Sequence, residues 1–451
     1  MKKFYSLLAA AFCATASFGV NAQSYVNFTT EEMIRVFGGL MPFGISPNGQ
    51  FVSGATIILD AFIYDFENDK FVEFDSDKTG WDEQGQFILG GINNQGVAYG
   101  NNEYGIARCD IQGNSEILFE KPHSVYQLYC DGNTLDGSIL VGCSADESWE
   151  VFPCYWENGE QHWLPLPTEE EVGFEVFGGR AKFISNDGSV IAGFIRNNFS
   201  DDPLILWFRQ ADGTYKMDPR CVGKFEPDQT YIYGEYGEII GTSNGPNPYL
   251  FFKPGALSGD GKKLAMYIKR NTEEIYNPIE LGIYDIESDT LELIEDTENI
   301  FEEFGNGEFI LEGISNEGTV VGTAGSMWLG AFPFIMDGKE KVPMLLADAY
   351  PQFEELTEFV DEAMFGWPAF GTGITPDGRY IIGYGTKEQY QTAGLAFRID
   401  RENGASIKTI GQSMQDGEEV IYDLQGRRMN SRENLSKGIY IINGKKVAIS
   451  K

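Results

Sequence analysis

Gly44-Ile45-Ser46-Pro47-Asn48-Gly49, followed by Phe51, Val52 and Gly54, is the stretch that decides the fold of this chain. The same order of residue types returns as Phe183-Ile184-Ser185-Asn186-Asp187-Gly188 with Ile191 and Gly193. It returns again as Gly373-Ile374-Thr375-Pro376-Asp377-Gly378 with Ile381, Ile382 and Gly383. An Asn-Gly or Asp-Gly pair between β-branched runs is a strong hairpin signal, because such turns need a residue that tolerates positive φ. The glycine that closes the following strand marks a close approach of two backbones.

Turns of this kind end at Gly49, Gly96, Gly137, Gly188, Gly261, Gly318 and Gly378, seven in a chain of 451 residues. Gly85 to Gly96 and Gly307 to Gly318 are identical at eight of twelve positions, the mark of an internal duplication. A third strand with aromatic residues follows each hairpin, as in Ala61-Phe62-Ile63-Tyr64, Phe152-Pro153-Cys154-Tyr155-Trp156, Leu204-Ile205-Leu206-Trp207 and Ala331-Phe332-Pro333-Phe334. A fourth is set off by turns such as Asn158-Gly159. Four-stranded units repeated at blade-like intervals predict an all-β protein, a β-propeller of about seven blades. Two stacked sandwiches would not need seven near-equal units. An eighth blade is left open by Glu235-Tyr236-Gly237-Glu238-Ile239-Ile240-Gly241 in the longest gap. Two helices are expected on the rim: a short one opened by Thr29-Thr30-Glu31-Glu32, and a longer one over 352–364.

The pairing of a Gly-Ile-Ser-x-Asp-Gly hairpin with an Ala-Phe-x-Trp-like strand resembles the extracellular HAF-type repeats, over roughly residues 40–400. That resemblance implies a propeller-like fold in a secreted protein and brings no catalytic residues, since the shared positions are turn and core positions.

Both ends look like addresses. Lys2 and Lys3, an apolar run from Leu7 to Phe18, and Val20-Asn21-Ala22 predict a signal peptide over 1–22. The propeller then occupies 23–411, a linker 412–419, and a basic β tail 420–451 with an Asn443-Gly444 hairpin. Through Tyr422-Asp423, Gly426-Arg427 and Lys437-Gly438-Ile439-Tyr440 the tail resembles the C-terminal sorting domain of type IX secretion cargo in Bacteroidetes. The resemblance implies a surface or secreted protein that meets the secretion machinery on its way through the periplasm; retention in the periplasm is the alternative.

The net charge is −35, which argues against nucleic acid and anionic membrane as partners. After the leader no apolar run is long enough for a membrane span. Five cysteines follow the leader: Cys109, Cys130, Cys143, Cys154 and Cys221. Cys143 and Cys154 flank a hairpin and Cys109 and Cys130 lie close in sequence, so these are the candidate disulfide pairs of an oxidising compartment.

The residues that carry chemistry are few. His123 and His162 are the only two histidines, which excludes a multi-histidine zinc site. No Gly-x-Ser-x-Gly elbow or phosphate-binding glycine loop is present. Asp75, Asp77 and Thr79, with Gly80 and Glu83, follow the oxygen-ligand alternation of a calcium loop, but Gln86 stands where the bidentate Glu belongs. Calcium is therefore the one cofactor left open, against the simpler reading of a solvated acidic turn. Trp156 and Trp207 read as blade core. Trp81, Trp149, Trp328 and Trp367 fall in connecting segments and are the candidate ligand-stacking residues. The expectation is a non-catalytic propeller that binds an extracellular glycan or protein through inter-blade loops. The competing readings are a carboxylate-dependent polysaccharide-acting enzyme working in the channel, recognisable by inward-facing acids with raised pKa, and a structural surface component.

Overall fold

The structure is a computed structural model. It describes residues 24–74, 88–102, 104–122, 125, 127–145, 150–172, 175–197, 203–218, 231–233, 239–242, 249–270, 279–294, 308–326, 330–339, 341–363, 369–385, 394–401, 421–423, 428–429, 438–442 and 445–449.

Seven four-stranded antiparallel sheets form the blades of a propeller. Blade 1 starts at Leu40–Ile45, blade 2 at Ile88–Ile92, blade 3 at Gln127–Asn133, blade 4 at Val176–Ile184, blade 5 at Tyr249–Leu257, blade 6 at Glu308–Ile314 and blade 7 at Phe370–Ile374. These first strands touch one another in a closed ring, so each is the innermost strand of its blade. The segment considered for an eighth blade forms only a two-stranded sheet, Tyr231–Tyr233 with Ile239–Thr242.

Blade 7 is completed from the other end of the chain. Its outermost strand is Ser24–Asn27, paired beside Leu395–Asp400. Phe28 N–H donates to the Ala396 carbonyl at 3.1 Å, and Ala396 N–H donates to Thr29 Oγ1 at 2.8 Å. The rim helix after this latch runs over Glu31–Phe37, capped by Thr30 Oγ1, which accepts from Met33 N–H. The longer helix covers Glu354–Ala363.

Burial follows the repeat. One apolar cluster fills each blade-to-blade interface, seven in all, from blades 1 and 2 (Phe51, Ile63, Leu89, Ala107) round to blades 7 and 1 (Phe28, Phe62, Ile382). A single blade cannot cover its own faces, so the ring is the folding unit. The aromatic third strands supply the bulk: Phe62, Trp207, Phe332, Phe334 and Phe397 are all fully buried. Each such side chain contributes about 2–3 kcal/mol by leaving water.

The recurring motif has a local cause. In Ser185-Asn186-Asp187-Gly188 the fully buried Ser185 Oγ donates to Asp187 Oδ1 at 2.7 Å and accepts from Val190 N–H at 3.0 Å. Ser46, Thr134, Ser258 and Thr375 make the same pair of bonds in their own blades. The glycine at the end of the second strand has a different task. At Gly54, Gly142, Gly193, Gly322 and Gly383 a Cβ would come within 2.2 Å of an inner-strand carbonyl oxygen. Those glycines lie opposite a β-bulge in the inner strand, so the motif encodes the bulge as well as the turn.

The disulfides expected at Cys143–Cys154 and Cys109–Cys130 do not form; all four are free thiols. Cys143 is register partner of Pro153, and Cys154 of Gly142, so the two thiols stand on opposite faces of blade 3. Cys109 packs between blades 1 and 2, whereas Cys130 packs between blades 2 and 3.

A separate unit runs from Asp400 to the C-terminus. Its described strands, Arg428–Met429, Ile421–Asp423, Gly438–Ile442 and Lys445–Ile449, form one antiparallel sheet in that order. Ile442 pairs with Lys445 across the expected hairpin. Tyr422, Asp423, Gly438, Ile439 and Tyr440 lie on these strands, while Gly426, Arg427 and Lys437 fall outside the described residues.

Candidate functional site

The bulges decide what faces the axis. Each inner strand carries one unpaired residue directly before the motif: Phe43, Gly90, Asp131, Lys182, Gly255, Glu312 and Thr372 in blades 1 to 7. A bulge re-aims its extra residue out of the ladder, and the ring of inner strands leaves the channel as the place for it. Neighbouring bulges touch: a Cβ on Gly44 would lie 2.1 Å from the Gly90 carbonyl oxygen, and one on Gly132 lies 3.4 Å from that of Lys182.

One end of this channel is closed down by the turns. Leu135 N–H donates to the Asn186 carbonyl at 3.0 Å, Asn186 N–H to Gly259 at 2.8 Å, and Asn316 N–H to Pro376 at 2.8 Å. A Cβ on Gly259 would stand 2.7 Å from Asn186 Nδ2 and 3.0 Å from Pro376 Cβ, so the tips of blades 4, 5 and 7 meet. The bulged residues form the next layer inward.

Two carboxyl groups occupy that layer, in different states. Asp131 is locked to Arg180 of blade 4, which donates from Nε to Oδ2 at 2.6 Å and from a terminal nitrogen to Oδ1 at 2.5 Å. The guanidinium also lies 4.7 Å from the centre of the Tyr129 ring. Glu312 has no such partner: among the described residues no hydrogen bond or salt bridge reaches it. Its side chain is exposed to solvent, and partial desolvation by the blades around it raises its carboxyl to about 7 against the opposing pull of the Lys182 ammonium. Lys182 belongs to blade 4 and Glu312 to blade 6; between them blade 5 offers Gly255, which has no side chain. Tyr384, beside Phe370 on blade 7, is raised to about 12 by burial and then by the Glu312 charge. Thr372 and Phe43 complete the polar and apolar sides of the layer.

The bulge layer thus holds a carboxyl on blade 6 and an ammonium on blade 4, beside a neutralised ion pair. Among the seven described bulge residues there is no second free carboxylate for paired acid–base work on a glycosidic bond. Among the described residues no group of three or more His, Cys, Asp or Glu side chains is placed to hold a metal ion. His162 lies on the outermost strand of blade 3, its ring stacked on Tyr155 at 4.8 Å.

No family model matches the chain, and no curated protein matches it in sequence. Among solved structures it is similar to an oligogalacturonate lyase from Vibrio parahaemolyticus, at 9% identity and a TM-score of 0.51, over 84% of this chain and 97% of that one. The likeness is one of fold. TolB from Acinetobacter baumannii, at 12% identity and a TM-score of 0.37 over 68% of this chain and 63% of that one, carries no argument.

Trp156 and Trp207 are buried blade core, as expected, and Trp207 Nε1 donates to the Pro165 carbonyl. Trp81, Trp149, Trp328 and Trp367 lie outside the described residues, as do Asp75, Asp77, Thr79 and Glu83 of the calcium candidate. No helix among the described residues is long and apolar enough to cross a membrane. Sequence reading missed Glu312, although one signal was there: within the duplicated segment it replaces Gly90, a charge where the sister copy has no side chain.

Proposed function

We propose that this chain is a secreted or cell-envelope, non-catalytic propeller that binds a ligand in its channel, entered from the end opposite the turn ring. The observation that carries the reading is the unpartnered Glu312 facing Lys182 across the gap at Gly255. Charged groups left unpaired on a channel wall are free to bond a ligand. The pairing of Asp131 with Arg180 removes the second carboxylate that the glycosidase reading needs. Trp81, Trp149, Trp328 and Trp367 are kept in this reading as the residues that stack on the ligand. The calcium loop remains a local, structural proposal.

The test is a glycan and peptide array read with the mature chain and with Gly90→Trp. A Cβ at Gly90 meets nothing nearer than 3.9 Å, and Phe43 already holds a ring at the equivalent bulge, so the variant fills the channel without strain. Every ligand bound by the natural chain is expected to be lost. A ligand retained by Gly90→Trp at full affinity places binding elsewhere and contradicts the reading.

A further inference from the structure

Two buried polar atoms on the outer part of blade 3 stand side by side without partners. Among the described residues, neither Trp156 Nε1 nor Gln161 Oε1 has a hydrogen-bond partner. Trp156 lies on the third strand of blade 3 and is register partner of Gln161 on the outermost strand, Glu160–Trp163. Opposite residues of an antiparallel pair have Cα atoms about 5 Å apart and side chains on one face. That face looks toward blade 2. Trp156 is only 3% exposed, and its ring centre lies 6.2 Å from that of Phe119 on the outermost strand of blade 2.

Trp163 continues the row. It lies two residues beyond Gln161, roughly 6.8 Å along the strand and on the same face. His162 between them turns to the other face and stacks on Tyr155. Trp163 is 58% exposed, more than any other large apolar side chain among the described residues. Phe152 meets it edge to face, with ring centres 6.2 Å apart at 83°. Whichever ring supplies the edge, at least one face of the indole stays clear of Phe152.

We propose that this face of blade 3 is a second, outer site that binds a sugar, whose ring stacks on Trp163 and whose hydroxyl completes Trp156 and Gln161. The two polar atoms select a hydroxyl. An indole N–H only donates and an amide oxygen only accepts, so the group that satisfies both must accept from one and donate to the other. A carboxylate answers only the first and an ammonium only the second. A sugar joins such hydroxyls to an apolar C–H face, the surface an exposed indole stacks on. The outer site goes beyond the channel reading and does not depend on it. One stacked ring and two polar atoms hold a ligand at about millimolar strength. The washes of an array remove binding that weak, so the array reads the channel and a titration in solution reads the outer site.

The probes are the methyl glycosides of D-glucose, D-galactose and N-acetyl-D-glucosamine, with N-acetyl-L-tyrosinamide as a hydroxyl-bearing ring that is not a sugar. The readout is nitrogen–proton NMR of the full mature chain labelled at the tryptophan indoles, where 7 tryptophans give one N–H signal each. Trp156→Phe and Trp163→Phe assign the two signals of interest. At least one glycoside is expected to move both along a single saturation curve. Trp207, already bonded to the Pro165 carbonyl, is expected to stay in place. Followed at Trp156, the curve is expected to weaken about tenfold in Trp163→Ala and about fivefold in Gln161→Leu. Gly90→Trp is expected to leave it unchanged.

If no glycoside moves the Trp156 signal, the proposal is overturned. An unchanged midpoint in Trp163→Ala or in Gln161→Leu overturns it as well. A curve lost in Gly90→Trp places the sugar in the channel and removes the outer site, so the two readings can fail separately. N-acetyl-L-tyrosinamide bound more tightly than every glycoside overturns the sugar. Circular dichroism of each variant separates loss of binding from loss of fold.

Discussion

Arg180 of blade 4 closes on Asp131 of blade 3 with two parallel hydrogen bonds, and its side chain retains 28% exposure against 11% for the aspartate. Such bidentate pairing fixes both groups in plane and uses up the carboxylate's oxygens. It also ties two neighbouring blades together at the channel wall. Removing one partner strands the other where water only partly reaches it, so Asp131→Ala is expected to cost about 2 kcal/mol, discounted for the exposure of Arg180. Denaturant unfolding of Asp131→Ala, Arg180→Ala and the double variant measures the coupling. A double-variant cycle with no coupling would mean the pair does not form.

The repeated Ser/Thr is structural, and its loss is expected to act at any blade. Ser185→Ala leaves Val190 N–H and Asp187 Oδ1 without the buried hydroxyl, at a cost of roughly 1–3 kcal/mol, with ligand affinity unchanged. Unfolding curves beside a binding isotherm check both halves.

Acid is expected to unfold the ring through its turn aspartates. Asp136 is held below the usual carboxylate range by bonds from Ser138 and Thr134; Asp187 is held low too, its bonds from Ser189 and Ser185 outweighing burial. A depressed folded pKa contributes stability that is present above the unfolded value, about 3.9, and is lost as pH falls through the folded one. Glu312 has the opposite sign. Its raised folded value makes it neutral cost-free at low pH and a growing penalty from about pH 4.3 up to its own titration near 7. Glu312→Gln is therefore expected to equal the natural chain at pH 4 and to exceed it at pH 8, by about 1 kcal/mol after solvent screening. Thermal melts across that interval read the difference.

Peptide mapping without reductant is expected to find Cys109, Cys130, Cys143 and Cys154 all alkylated as free thiols after unfolding. In the folded protein Cys143 is expected to resist thiol reagents, since burial pushes it up to about 12. A Cys143–Cys154 cross-linked peptide would contradict the register of blade 3.

The latch is expected to be worth more than its length suggests. Phe28 packs its ring 5.0 Å from Tyr64 and 5.1 Å from Phe66 while its backbone joins blade 7. Phe28→Ala is expected to cost about 3 kcal/mol, visible as a lowered midpoint of unfolding.

The blades were legible because Gly44-Ile45-Ser46-Pro47-Asn48-Gly49 and its copies combine a φ > 0 turn, a buried hydroxyl and a close-approach glycine, each a local requirement. Trp207 and Phe332 were legible as core for the same reason: the aromatic strand follows the turn at a fixed offset. The cysteine pairing failed because sequence proximity says nothing of which face of a strand a thiol occupies. Glu312 and Lys182 were not legible as partners, since they lie 130 residues apart and meet only once seven bulges close a ring. The completion of blade 7 by Ser24–Asn27 was hidden likewise, as a contact between the two ends of the propeller.

The most direct test of the channel reading is the titration of Glu312 itself. Carbon-detected NMR of the chain labelled at glutamate Cδ, with Glu312→Gln to assign the resonance, follows one carboxyl through pH 4 to 9. The account predicts a midpoint near 7 that moves higher still in Lys182→Met, where the opposing ammonium is gone. A midpoint in the ordinary glutamate range, indifferent to Lys182, would show a solvated surface acid and contradict the site.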